Sequence, residues 1–437
     1  MKKNEIYEMT ITGMGAEGEG VGRIDSFVVF VPFALIGEFI RVQILKVTKS
    51  YAHGKLLDIL TPSPHRVTPE CRYFAKCGGC ALWHMDYQSE LQYKTQKVKD
   101  ALIRIGKIDI EVPDTLSSGE FCRYRNKALF PVSVSGVGLF APRSHRLIKI
   151  ESCLIQDNIT DKIIKIIDAS GIIPYDEVTH SGEVRHILIR KGNGIMVCIV
   201  TRTPEFLGKD ELINELSKLD NVKSIIQNIN PNKTNVALGG KNVTLWGDEF
   251  VTTNLFNLTF KVSPNTFFQV NTAATHILYE TAKDFAELDG TQNVLDLYCG
   301  IGTISLYFSQ WAKHVTGVEI VPQSVENARK NAVLNNIQNA TFELGSAKDF
   351  SNTRFYEVVV LDPPRKGCDL ELINSLINLK SSKIVYISCN PSTLARDLNL
   401  LSAVYDVKKV QPVDLFPRTP HVETVVLLQK RCETTAK

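Results

Sequence analysis

From residue 293 onward this chain alternates short apolar runs with helical stretches, a rhythm that few architectures accommodate. Strand signals fall at Asn293–Leu297, Val315–Glu319, Ala340–Leu344, Val358–Leu361, Lys383–Ser388 and Thr424–Gln429. Strands separated by helical patterns predict a mostly parallel, doubly wound sheet. Such sheets bind their ligands in the crevice outside the carboxyl edge. The residues that end these strands are therefore the first candidates for chemistry.

Four strand ends carry a signal. Asp296-Leu297-Tyr298-Cys299-Gly300-Ile301-Gly302-Thr303 is a glycine-rich turn whose backbone can approach a nucleotide-like cofactor closely. Alone it is weak, because nicotinamide-binding folds share it. Glu319 ends the next strand, where it can bind ribose hydroxyls or serve as a helix N-terminal charge. Lys383–Ser388 runs into Cys389-Asn390-Pro391, and Pro391 cannot donate a ladder hydrogen bond, so the strand stops with Cys389 at the edge. Taken alone, Cys389 reads first as an inert thiol, since free cysteine is among the most buried residue types. The fourth strand ends in Asp362-Pro363-Pro364-Arg365. An aromatic after Asp-Pro-Pro would suggest methylation of an exocyclic base amine. Arg365 argues against that and leaves Asp362 to orient a base or ligand by accepting a hydrogen bond.

A chain of 437 residues exceeds what one core fills. Residues 1–60 read as a small β-barrel, with glycine-rich turns between strand-like Phe27–Pro32 and Phe39–Ile44. Arg41, Lys46, Lys49 and Lys55 give it a basic side. Thr61-Pro62-Ser63-Pro64 reads as a linker. Residues 65–260 begin loop-rich around cysteines, include a helical stretch near 88–105, and continue into alternating segments that predict an antiparallel sheet with a helix or two against it. Residues 261–437 hold the doubly wound sheet. The whole is a multidomain α/β protein.

Basic and acidic residues nearly balance, 50 against 47, so a polyanionic partner is permitted but not demanded. The longest apolar stretch, Phe27–Ile40, is broken by Pro32, Gly37 and Glu38 and is too short to span a bilayer. With no secretory signal in the polar N-terminus, the chain is expected in the cytoplasm, off the membrane, and as a monomer. Ten cysteines there are better explained as ligands, nucleophiles or core residues than as disulfides.

The motifs Phe267-Phe268-Gln269-Val270-Asn271, Asp296-Leu297-Tyr298-Cys299-Gly300, Asp362-Pro363-Pro364-Arg365-Lys366-Gly367, Ser388-Cys389-Asn390-Pro391 and His421-Val422-Glu423 occur in this order. Together the chain resembles the S-adenosylmethionine-dependent RNA (uracil-5-)-methyltransferases, whose C-terminal domain is Rossmann-like. The resemblance implies Gln269, Tyr298, Glu319 and Asp362 around the cofactor and the uracil, Cys389 as nucleophile and Glu423 as base. Residues 1–60 resemble the TRAM module, an OB-like RNA-binding barrel. Cys71, Cys77, Cys80 and Cys153 are similar to the [4Fe–4S] site of the branch acting on 23S ribosomal RNA. Spacing alone fits zinc equally well; the resemblance tips it to iron–sulfur.

The resemblance implies 5-methyluridine formation in 23S ribosomal RNA. Enzymes of the transfer RNA branch are expected to lack the barrel and the cluster cysteines, which disfavours that substrate. A non-catalytic RNA binder would need neither Cys389 nor Glu423. Phe267 or Phe268 is placed to stack on the target base, and His421 either orients that base or packs. Cys122, Cys198, Cys299, Cys368 and Cys432 read as structural or incidental.

Overall fold

The computed structural model describes residues 1–348 and 355–431; Cys432 lies outside the described residues. The strands β1 (Ile6–Met14), β2 (Gly20–Ile24), β3 (Phe27–Val31), β4 (Phe39–Val47) and β5 (Tyr51–Thr61) close into a barrel in the order β1-β2-β3-β5-β4. Alternation drives this closure, because Met9 and Ile11 of β1 and Ile40, Val42 and Ile44 of β4 share one interior with Val29, Val31 and Ala52. The expected linker is docked rather than loose. Buried Glu38 accepts from Leu35 N (2.8 Å), Ser63 N (3.4 Å) and Arg66 Nε (2.5 Å). Lys46, Lys49 and Lys55 are exposed, whereas the charge of Arg41 is absorbed by Glu8 at 3.3 Å and Asp58 at 3.0 Å.

Helix α1 (Tyr87–Ala101) starts where Asp86 accepts from Ser89 N at 2.8 Å, and it ends in a wide turn over Leu102–Gly106. Its apolar face does not join the sheet that follows in sequence. Val98, Ala101 and Leu102 instead belong to the core formed with Leu394, Ala395 and Leu398, far along the chain.

The middle of the chain is a seven-stranded sheet of β6 (Lys127–Ser133), β7 (Gly136–Phe140), β8 (Leu147–Lys149), β9 (Val184–Lys191), β10 (Ile195–Thr201), β11 (Val222–Ile229) and β12 (Lys241–Gly247), ordered β12-β11-β10-β9-β6-β7-β8. Helices α2 (Asn158–Ala169) and α3 (Lys209–Ser217) cover one face. The sheet departs from the antiparallel expectation at one place, since β10 and β11 pair in parallel. The cause is α3, which carries the chain back over the sheet while burying Leu212 and Leu216 against Val197 and Ile199. Met196, Cys198 and Val200 face the other way, into a core shared with the hairpin β13 (Val251–Leu255) and β14 (Leu258–Val262). Burial on both faces explains why β10 is apolar without interruption.

The remaining elements are α4 (Thr272–Ala286), β15 (Asn293–Leu297), α5 (Thr303–Phe308), β16 (His314–Glu319), α6 (Pro322–Leu334), β17 (Ala340–Leu344), β18 (Val358–Leu361), α7 (Leu370–Leu379), β19 (Lys383–Ser388), α8 (Pro391–Leu401), β20 (Tyr405–Val413) and β21 (Glu423–Lys430). The sheet order is β17-β16-β15-β18-β19-β21-β20. The first five strands are parallel, and β21 runs antiparallel to both neighbours. The doubly wound expectation holds. Edge strand β20 escapes a period-of-two reading because a bulge between Val407 and Lys409 shifts its register and lysines interrupt its apolar face. Helices α4 and α6 lie on one side of the sheet, α1, α7 and α8 on the other. Among the described residues no helix is long and apolar enough to cross a membrane.

Gly317 in β16 tests this packing. A Cβ there would sit 2.7 Å from the ring of Phe342 and 2.9 Å from Cys299 Sγ. Gly317→Ala should lose about 1–3 kcal/mol of stability through overpacking, with partial recovery when Phe342→Leu is added. Urea denaturation of the two variants checks it; an unchanged midpoint for the single variant would contradict the packing described.

Candidate active site

Register brings the candidate residues to one edge. Leu297 pairs with Leu361, Leu361 with Tyr386, and Ser388 with Thr424. Tyr298, Asp362 and Cys389 therefore follow the carboxyl ends of three parallel strands. Glu423 arrives from the opposite direction, as the first residue of antiparallel β21, one step beyond the Ser388–Thr424 pair. Pro391 does more than stop β19: it opens α8, whose cap Asn390 accepts from Ser392 N at 3.1 Å. Asn390 Nδ2 and Thr393 Oγ1 both donate to Arg365 O, at 3.1 and 3.2 Å. The turn after Cys389 and the Asp-Pro-Pro-Arg loop are thereby fixed to each other.

The glycine-rich turn has the shape that a cofactor needs. Tyr298 sits at φ +67° and Gly300 at φ +56°. A Cβ on Gly300 would meet nothing, so the backbone there faces open space. Gly302 plays a different part, since a Cβ on it would strike Phe342 at 2.8 Å. Glu319 accepts from Gly300 N (3.2 Å) and Val321 N (2.9 Å), so its carboxylate ties the glycine-rich turn to the residue that precedes α6. Gln269 is buried just before α4, with its carbonyl accepting from Asn126 Nδ2 at 2.9 Å. Asp296, which the sequence marked only as part of the motif, is buried beneath the turn. Ser305 Oγ donates to its Oδ2 at 2.5 Å, its Oδ1 has no hydrogen-bond partner among the described residues, and burial pushes the carboxyl up to about 7.

This edge is dry and acidic. Loss of water pushes the Asp362 carboxyl up, and burial followed by the nearby Asp362 pushes Glu423 well above the ordinary range. No hydrogen bond to the Glu423 carboxylate forms among the described residues. Burial, then Glu423 and Asp362, pushes the Cys389 thiol up to about 11. Arg365 is the cation that opposes these effects on both Cys389 and Glu423. It is held by His421, whose Nε2 accepts from Arg365 Nη2 at 3.2 Å. Burial, and then Arg365 itself, pushes His421 down to about 4, which keeps the imidazole neutral. This Arg365–His421 pair is the part of the site that the sequence reading missed; no spacing rule links residues from separate loops. The two phenylalanines also separate: Phe268 is core, packed against Phe260, while Phe267 is 67% exposed.

The four cysteines Cys71, Cys77, Cys80 and Cys153 come together, with Cys153 arriving from a distant part of the sequence. All four line a cavity of about 300 Å³ with Tyr73, Arg125 and Gln156. None is in a disulfide. Burial pushes Cys153 up to about 11 and raises Cys77 and Cys80, and the thiols raise one another. Cys77, Cys80 and Cys153 thus hold their protons more firmly until a cation offsets the lost hydration. Among the described residues no three His, Cys, Asp or Glu side chains converge on a single ion. Cys122 packs on the same apolar patch without lining the cavity. Cys198 and Cys299 are core residues, and Cys368 is buried beside Tyr386 OH at 3.4 Å.

Two family profiles match this chain: a TRAM domain over residues 2–57 and tRNA (uracil-5-)-methyltransferase over residues 226–431. A Clostridium tetani protein described as an uncharacterised RNA methyltransferase is 47% identical over 446 residues, covering 98% of this chain and 97% of its own. A Listeria innocua protein of the same description is 44% identical, covering 98% of each. Among solved structures, a Pyrococcus abyssi tRNA (uracil-54, C5)-methyltransferase in complex with S-adenosyl-L-homocysteine superimposes with a TM-score of 0.81 at 27% identity, covering 97% of this chain and 100% of that one. That match removes one sequence argument, because a transfer RNA enzyme shares nearly the whole architecture, N-terminal region included. The chain belongs to the S-adenosylmethionine-dependent RNA (uracil-5-)-methyltransferases that carry a TRAM domain.

Proposed function

We propose that this enzyme makes 5-methyluridine in 23S ribosomal RNA through a covalent adduct between Cys389 and C6 of the target uracil. One observation carries the mechanism: the antiparallel entry of β21 sets Glu423 beside Cys389 at the edge where Asp362 also ends. C5 of uracil is a poor nucleophile. Addition of the Cys389 thiolate to C6 turns the ring into an enolate and makes C5 nucleophilic. S-adenosylmethionine supplies the methyl group as a sulfonium substituent. Glu423 then takes the C5 proton, the C–H electrons restore the C5–C6 double bond, and the thiolate leaves. Arg365 favours the thiolate, and Asp362 accepts a hydrogen bond from N3–H to select uracil over cytosine. Exposed Phe267 offers a ring on which the flipped base can stack.

Contact with RNA falls partly to the barrel. Phe30, Tyr51 and His53 gather with centroids 5.3–6.0 Å apart near exposed Lys46 and Lys49, a combination suited to single-stranded nucleic acid. Ribosomal RNA is favoured by the four-cysteine cavity, which resembles that branch. Transfer RNA is the second reading, on the strength of the Pyrococcus match. Four thiols lining one cavity are a donor set that suits a [4Fe–4S] cluster or one zinc ion, and the resemblance of their spacing favours the cluster.

Incubation with ribosomal and transfer RNA followed by mapping of 5-methyluridine decides the substrate; incorporation into transfer RNA alone would sink the ribosomal claim. Cys389→Ala should abolish turnover. Because Glu423 must be ionised and burial holds its proton more firmly, the rate should climb with pH above the ordinary carboxylate range; a flat profile would contradict the assigned base. Arg365→Met should slow alkylation of Cys389 by iodoacetamide roughly three- to tenfold, read by mass spectrometry of the Cys389 peptide. Anaerobically purified protein should carry about four irons per chain, and stoichiometric zinc in a colourless protein would overturn the cluster.

A further inference from the structure

The connection between β20 and β21, residues 414–422, delivers Glu423 to the edge, and α1 holds it. Lys94 Nζ donates to Glu90 Oε1 and Asp414 Oδ1, both at 2.7 Å, and to Phe416 O at 3.3 Å. All three charged side chains are fully buried. Tyr87 OH donates to Asp414 Oδ2 at 2.9 Å. Arg418, in a left-handed conformation at φ +66°, closes the network. Its amide donates to Glu90 Oε1 at 2.7 Å, its Nη1 lies 3.5 Å from Glu90 Oε2, and Nη1 also donates to Met85 O at 3.1 Å. The Arg418 guanidinium sits 4.3 Å from the ring centroid of Phe121 and 4.7 Å from that of Trp83. One turn along α1, Lys97 Nζ donates to Pro420 O at 2.7 Å, next to His421.

Apolar side chains would hold a loop against a helix as firmly, without desolvating four charges. What an ionic network adds is direction, since each of its hydrogen bonds fixes an angle as well as a distance. Cys389 is reached by another route, through β19 and α8, and none of the network's bonds above touches it. The network's ion pairs and hydrogen bonds therefore act on the Glu423 side of the site, while α1 meets α8 through the apolar core of Val98, Ala101 and Leu102.

We propose that Glu90, Lys94, Asp414 and Arg418 are positioning residues that aim the Glu423 carboxylate, serving removal of the C5 proton rather than addition of the thiol. The inference rests on the roles of Cys389 and Glu423 given above. With the base misaimed, Cys389 still adds to C6 and the methyl group still reaches C5. The C5–H bond then persists, the thiolate cannot be expelled, and the methylated RNA stays attached to the enzyme.

The test uses the full chain as Lys94→Met and as the charge-balanced pair Glu90→Leu with Lys94→Met, beside Lys94→Arg and Glu423→Gln. Thermal unfolding and S-adenosylhomocysteine binding identify folded variants, and the balanced pair carries the test if the single one does not fold. Single-turnover reactions follow the RNA fraction in a denaturant-stable covalent complex and its decay to product. Adduct formation should stay within about threefold of wild type while decay slows by roughly tenfold or more, with partial recovery in Lys94→Arg. Equal slowing of both steps, or unchanged decay, would overturn the positioning role. If Glu423→Gln itself traps no adduct, the catalytic reading fails instead.

Discussion

An antiparallel strand inserted next to the end of a parallel run decides what this molecule can do. Parallel strands all present their carboxyl ends at one edge, so they can set side by side only residues that follow strands. Strand β21 enters between β19 and β20 in the reverse direction and offers its first residue at the same edge. Cys389 and Glu423 become neighbours for that reason. The β20–β21 connection then crosses the site and is held against α1.

Burial at this edge sets the chemistry as much as identity does. Three carboxyl groups, Asp296, Asp362 and Glu423, lose water there and bind their protons more firmly. A weakened acid is a stronger base, which suits the role proposed for Glu423 of taking a proton from carbon. The same dryness disfavours a thiolate, and Arg365 offsets it. Neutral His421 keeps that guanidinium in place without adding a second positive charge that would acidify Glu423.

Much of this was legible in the sequence where chemistry is local. The parallel strands from Asn293 to Ser388 announce themselves through apolar runs and punctuation, and Pro391 marks the edge at Cys389. The cysteine quartet was legible as spacing, but its cavity depends on Cys153 folding back beside Cys80, which no local rule supplies. Strand β20 was hidden by its bulge and its lysines. The parallel β10–β11 pair was hidden because a period of two is the same in either direction. Arg365 with His421, and Lys94 with Asp414, join distant segments; only the tertiary structure shows them.

The chain order of the ion network has a temporal consequence. Asp414 follows Lys94 by 320 residues. At about 5–20 residues per second the ribosome takes on the order of tens of seconds between them. Through that interval Lys94 stays hydrated and α1 lacks the core it will share with α8. Cys389 is also made before Glu423, yet β19 has no neighbour on one side until β21 arrives. On the proposed roles, the thiol that attaches RNA is completed by the same strand that brings the means of letting it go, so a partly made enzyme has no finished site in which to become stuck.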